Sequence, residues 1–145
     1  MDVNAAQLQE MLQALAMGVW RKEGNELVLG AFVPGNNLAP EIASEFTQAT
    51  DRVSLDQTQL GIVRAALTGQ PCVSVADELS PEIGSGLWLR RFGADRSIAL
   101  PMIDQGVVRG VVAVAIQGKD RTDAEVLELI CAFLGNSEWS SPDAG

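Results

Sequence analysis

Histidine is missing from this sequence altogether, and so is tyrosine. Without histidine the chain loses the commonest general base at neutral pH and the commonest nitrogen ligand for a transition metal. Any acid–base chemistry would rest on carboxylates, cysteine or lysine. Cysteine is scarce as well: only Cys72 and Cys131 are present, far apart and with no histidine to complete a ligand set. Zinc binding and a disulfide framework therefore both lack support. The expected state of each is a reduced core thiol, slow to react with thiol reagents, because free cysteine behaves as a small buried hydrophobe and no cationic cluster adjoins either in sequence.

Positive charge is the next shortage. Ten Lys and Arg stand against nineteen Asp and Glu, a net charge of −9, and only the stretch 90–96 gathers three cations, Arg90, Arg91 and Arg96. Nucleic-acid binding, which needs a basic footprint, is disfavoured. No apolar run approaches the roughly 20 residues that span a bilayer. The first residues also lack a basic segment followed by an apolar one, so a cytoplasmic protein with no membrane partner is expected.

What is present suits a folded core. At 145 residues and 47% hydrophobic composition, the chain has material for one compact domain. That domain is expected over residues 1–135, and the polar segment 136–145 (NSEWSSPDAG) is expected to be a flexible tail. Leu8, Met11, Leu12 and Leu15 mark one face of a helix over residues 3–17, with Gly18 as its stop. GVWRK and ELVLGAFV flank Glu23-Gly24-Asn25 as a β-hairpin. Leu38, Ile42 and Phe46 predict a short helix with Pro40 in its first turn. Asp56 and Gln59 have the spacing of a capping box before Leu60, Val63 and Leu67, and Gly69 supplies the stop.

PCVSV reads as a short strand. Residues 78–93 contain Pro81, Gly84, Gly86 and Gly93 and read as a loop with a helical turn or two around Trp88. SIALPMI and VVRGVVAVAI form a second hairpin, and the latter is apolar at both parities, as a central strand buried on both faces should be. Thr122 to Glu125 is a capping box opening a last helix that closes at Gly135. The order of elements predicts an α+β domain built on an antiparallel sheet.

Three runs in this order, LGIVRAALTGQPCVSVAD (60–77), RSIALPMIDQGVVRGVVAVA (96–115) and RTDAEVLELICAF (121–133), resemble the GAF domain family, which is related in fold to PAS domains. The resemblance covers residues 3–135. It implies five or six antiparallel strands, with the terminal helices on one face and a small-molecule pocket under a cover segment on the other. The implied activity is sensory or regulatory, in signal transduction.

Two further readings stay open: an enzyme of the free methionine-R-sulfoxide reductase type, and a dimerisation scaffold whose pocket is filled by side chains. Bilin-carrying relatives attach the chromophore through a cysteine, usually beside a histidine, in the cover, and residues 78–96 contain neither. A covalent bilin is therefore disfavoured. The cyclic-nucleotide constellation of the family cannot be placed here. The reductase chemistry uses thiolates on the cover loops, whereas Cys72 begins a strand and Cys131 lies on the last helix, so the chain is expected not to be an enzyme.

The run GLWLRRFGADR (86–96) falls where the resemblance implies a pocket cover, and it spends two of the few aromatics. Trp88 and Phe92, four residues apart, can present one apolar wall, joined by Trp20 from the first strand and by Ser97 and Ala99 through the period-two rule. Arg91 or Arg96 would hold an anionic or polar group. Asp77 either faces the pocket or caps the next turn. The bland alternatives are that the aromatics plug a core and the arginines are solvated. A homodimer through the N- and C-terminal helices is expected from their apolar surplus.

Overall fold

A computed structural model describes residues 9, 10, 12–118 and 121–135 of the chain. The sheet grows from two hairpins. Strands β1 (Ala16–Glu23) and β2 (Glu26–Pro34) turn through Gly24 at φ +60°. Strands β5 (Arg96–Asp104) and β6 (Val107–Ile116) turn through Gln105 and Gly106, both in the left-handed region that glycine enters without steric cost. β1 pairs with β6 to join the hairpins. Short strands β3 (Arg52–Ser54) and β4 (Cys72–Val75) close the edges in the order β3-β2-β1-β6-β5-β4, antiparallel throughout.

β6 sits in the middle, as its composition demands. Val112, Val114 and Ile116 enter one core layer, while Val111, Ala113 and Ala115 enter layers with other helices. Four α-helices are present among the described residues: α1 (Pro40–Ala49), α2 (Gly61–Thr68), α3 (Gly84–Phe92) and α4 (Asp123–Gly135). Val126 and Ile130 of α4 and Leu12 near the start of the chain pack on Met17, Val19, Ile98 and Leu100. The opposite face, carrying Trp20, Ala99 and Val111, receives Phe46 of α1 and Ile62, Val63 and Ala66 of α2, and α3 closes over it with Trp88 and Phe92. The α+β architecture, with Leu12 and α4 on one face and the cover on the other, is the one the resemblance implies.

Several local expectations are corrected. The first helix does not run to residue 17: residues 9, 10 and 12 are helical, Gln13 takes φ +52°, and the strand begins at Ala16. Gly18, read as a helix stop, lies inside β1 because Met17 and Val19 are needed in the core at strand spacing. Leu8 and Met11 lie outside the described residues. Asp56 does not cap α2; the helix starts at Gly61 after the extended Leu60 and has no side-chain cap. Strand β3, too short to show alternation, was not anticipated.

Residues 84–92 form a regular nine-residue helix, since Gly84 at φ +60° and Gly93 at φ +75° bound it rather than break it. Gly69 ends α2 in the left-handed region as expected. Cys131 is not a core thiol: it is exposed on α4, while Cys72 is half-buried on β4. The segment 136–145 lies outside the described residues.

The capping box of α4 forms. The Thr122 backbone N–H donates to Glu125 Oε1 at 2.8 Å, and the Glu125 N–H donates to Thr122 Oγ1 at 3.1 Å. Arg96, at the start of β5, fastens this helix start to the sheet. Its guanidinium donates to Asp123 Oδ1 at 2.6 Å, to the Arg121 carbonyl at 2.6 Å and to the Gly118 carbonyl at 2.7 Å.

Candidate functional site

Under α3 the sheet is built from small side chains. β1 contributes Ala16 and Gly18, β5 contributes Ser97 and Ala99, and β6 contributes Ala113 and Ala115. Large residues here would fill the space between sheet and helix, so the small ones leave a cavity of about 60 Å³. Its walls are aromatic, with Trp20, Phe32, Phe46, Trp88 and Phe92 meeting around it.

Phe46 is the hub of these rings. Its centroid lies 5.1 Å from Trp88 and 5.0 Å from Phe92, both edge to face, and 6.1 Å from Trp20 at 86°. Edge-to-face pairs at such spacings are favourable beyond their buried area. Trp20 is held further by its indole N–H, which donates to the Thr50 carbonyl at 2.9 Å in a buried setting. The Thr50 hydroxyl donates in turn to the Phe46 carbonyl at 2.8 Å. The end of α1 is thereby tied to the wall of the cavity. Gly18 is needed beneath Trp20, because a Cβ there would lie 2.4 Å from the indole.

The cover is sewn down at both ends. At its start the Ser85 N–H donates to the Gln59 carbonyl at 3.1 Å, and Ser85 Oγ accepts the Gly61 N–H at 2.8 Å. Gly86 packs so closely on the preceding loop that a Cβ would lie 2.0 Å from the Ser80 carbonyl oxygen. At its far end Leu89, only 2% exposed, is buried in a separate small core, and Arg90 donates to the Ala76 carbonyl at 3.3 Å. Trp88 and Phe92 are thus presented downward by a helix whose ends are fixed.

Of the residues singled out in the sequence, the structure brings together Trp20, Trp88, Phe92, Ser97 and Ala99 around the cavity. Asp77, Arg91 and Arg96 are not in its lining. Asp77 is exposed in the 3₁₀ turn Ala76–Glu78. Arg91 has its guanidinium carbon 5.4 Å from the Trp88 ring centroid and an ion pair to Glu45. Arg96 points to the loop before α4. The reason is the strand period: Ser97 faces the cavity, so its neighbour faces the other side. Sequence reasoning missed Phe32, Phe46, Thr50, Gly61 and Ser85. The signal available for Phe46 was its place on an apolar helical face, which reads as ordinary core.

Every residue lining the cavity is uncharged. Three hydroxyls, on Thr50, Ser85 and Ser97, and the indole N–H groups of Trp20 and Trp88 are the polar side-chain groups in an otherwise apolar lining. A second recess of about 280 Å³ adjoins it, bordered by Gln57, Gln59, Ile83 and Gly84, and Thr50, Leu60 and Trp88 belong to both. Trp88, with Thr50 and Leu60, is therefore a partition shared by the two spaces. Among the described residues no group of three or more histidine, cysteine, aspartate or glutamate side chains could hold a metal ion. No helix among them is long and apolar enough to cross a membrane.

Comparison with known proteins places this arrangement. The family model for the GAF domain matches residues 2–137. Among solved structures, the GAF domain of a two-component sensor histidine kinase from Bacillus halodurans superposes with a TM-score of 0.70 at 10% identity, covering 97% of this chain and 90% of that one. The GAF-B domain of DevS from Mycobacterium smegmatis gives 0.61 at 19% identity, over 97% and 88% of the two chains. The free methionine-R-sulfoxide reductase from Neisseria meningitidis, in complex with its substrate, gives 0.62 at 20% identity, over 97% and 77%. No curated protein matches the sequence.

Proposed function

The chain belongs to the GAF domain family, and from that premise we propose that it is a sensory or regulatory module that binds a small molecule under α3 and passes the event on through its terminal helices. The observation that carries this reading is the cavity beneath Trp88 and Phe92, walled by aromatics and floored by alanine, glycine and serine. A scaffold with no ligand has no need of small side chains at so many facing positions, because close packing would favour larger ones. The route to the helices is short. Ser97 lines the cavity, and its neighbour Arg96 holds the start of α4 through Asp123 and the Arg121 and Gly118 carbonyls.

The reductase reading has the structural likeness to the Neisseria meningitidis enzyme in its favour. Against it stands the placement of sulfur. Cys72 Sγ lies on the α2 side of the sheet, 3.7 Å from where a Gly61 side chain would begin, whereas Cys131 is exposed on α4 across the sheet. Two thiols on opposite faces cannot serve one ligand as nucleophile and resolving partner.

A thermal-shift screen of small molecules tests the proposal, since a ligand that binds only the folded state raises its apparent stability. The expected result is at least one stabilising compound, with no reduction of free methionine sulfoxide by the protein and a thiol donor. Turnover of the sulfoxide would replace the sensory reading by the enzymatic one.

A further inference from the structure

The boundary between the two spaces constrains what can enter. The inner cavity of about 60 Å³ has room for a few waters, each of which needs about 10–15 Å³. An apolar void that takes up benzene measures roughly 150 Å³. Nothing as large as an aromatic ring fits while Trp88 keeps its place. Movement of Trp88 would merge the inner space with the adjoining recess of about 280 Å³, which brings the site into the roughly 300–1,000 Å³ range of small-molecule pockets.

Of the three residues the two spaces share, Trp88 is the least buried, since Thr50 is 1% and Leu60 9% exposed. It is half-buried, the Arg91 guanidinium carbon lies 5.4 Å from its ring centroid, and among the described residues its indole N–H makes no hydrogen bond, in contrast to Trp20, which is 1% exposed and bonded to Thr50. The charges near the site are placed where they cannot serve a ligand inside it. Arg91 is not in the lining and is paired with Glu45, and Arg96 is consumed by α4. An ion entering the cavity would lose its water and find neither a counter-charge nor more than a few hydroxyls.

We infer that the ligand is an uncharged molecule with an apolar body and one or two hydrogen-bonding groups, and that it enters by displacing Trp88 and addresses the hydroxyls of Ser97, Ser85 and Thr50. This rests on the reading of the cavity as a ligand site and adds its chemical class. Of the anionic or polar ligand that Arg91 or Arg96 suggested in the sequence, it keeps the polar alternative.

The test uses the whole protein, labelled with ¹⁵N, titrated at pH 7 with size-matched pairs: benzamide against benzoate, and 1-butanol against butyrate. The uncharged member of at least one pair should shift the backbone amides of Gly18, Gly61 and Ser97 together with the Trp88 indole resonance, with an apparent Kd at least tenfold below that of its anion. Trp88→Phe, which keeps an apolar ring against Phe46, should bind the same probe with a faster on-rate.

Equal or tighter binding of an anion at those amides would overturn the inference and leave the ligand-site reading standing. Shifts confined to Gln57, Gln59 and Ile83 would overturn it too, by placing the probe outside the partition. Silence of every probe would overturn it where the thermal screen yields a charged ligand, and if that screen is also empty the ligand-site reading falls with it.

Discussion

At the scale of single residues, the site depends on a few side chains whose partners are specified. Trp20 combines a large buried surface with one hydrogen bond, from its indole N–H to the Thr50 carbonyl at 2.9 Å. Trp20→Phe removes the donor and leaves a buried carbonyl without it, a loss of about 1–3 kcal/mol, to which the smaller ring adds some lost packing. Urea denaturation should show that drop in the unfolding free energy with little change in its denaturant dependence. The sequence made Trp20, Trp88, Phe92, Ser97 and Ala99 visible, because aromatic spacing and strand parity are local patterns. It misdirected Arg91 and Arg96, because which side of a helix or strand a cation finally serves depends on partners distant in the chain: Glu45 for one and Asp123 for the other. Gly18 illustrates the same limit. A glycine after an apolar helical pattern reads as a stop, and only the indole folded against it reveals why no side chain fits.

At the scale of elements, α3 and α4 are held by short-range devices with opposite legibility. The capping box of α4 could be read directly from Thr122 and Glu125, and it forms. Hydrogen bonds to the carboxylate from the Thr122 backbone N–H, and from the Thr122 side chain, lower the Glu125 carboxyl below its ordinary range. A carboxyl lowered in the folded state binds fewer protons there than in the unfolded chain. Its contribution is therefore present above the unfolded value and lost as pH falls through the folded one. Comparing Glu125→Ala with the parent by thermal melts should show the parent more stable at pH 7. The gap should close as the solution is taken to about pH 3, below the usual carboxylate range. The clamp on α3 was hidden from sequence reading. It consists of Ser85 with Gln59 and Gly61, and of Gly86 against Ser80, contacts between segments whose own composition reads only as turn. β3 was likewise invisible, since three residues carry no period; it exists because β2 offers it an edge at Glu26, Leu27 and Val28.

At the scale of the whole molecule, the two hairpins and the central place of β6, apolar at both parities, were legible in the sequence, whereas the two unlike faces were what the resemblance implied and the full strand order came from the structure. The face bearing α4 also receives Leu12. The homodimer we propose through these helices should give twice the monomer mass of 15.4 kDa by light scattering at tens of micromolar; a single monomer mass would remove it and leave the cavity untouched. The central claim concerns the opposite face, where the space under α3 is kept for a ligand rather than filled as core. Its most direct test is one thermal-shift screen of uncharged small molecules on the parent protein and on Trp88→Ala in parallel. A compound that raises the parent's melting temperature, and raises that of a folded Trp88→Ala protein at least as much because the side chain it displaces on entry is already gone, is the predicted result. A parent that no compound stabilises, with a Trp88→Ala variant that loses the roughly 3–5 kcal/mol expected of a buried core tryptophan, would contradict it.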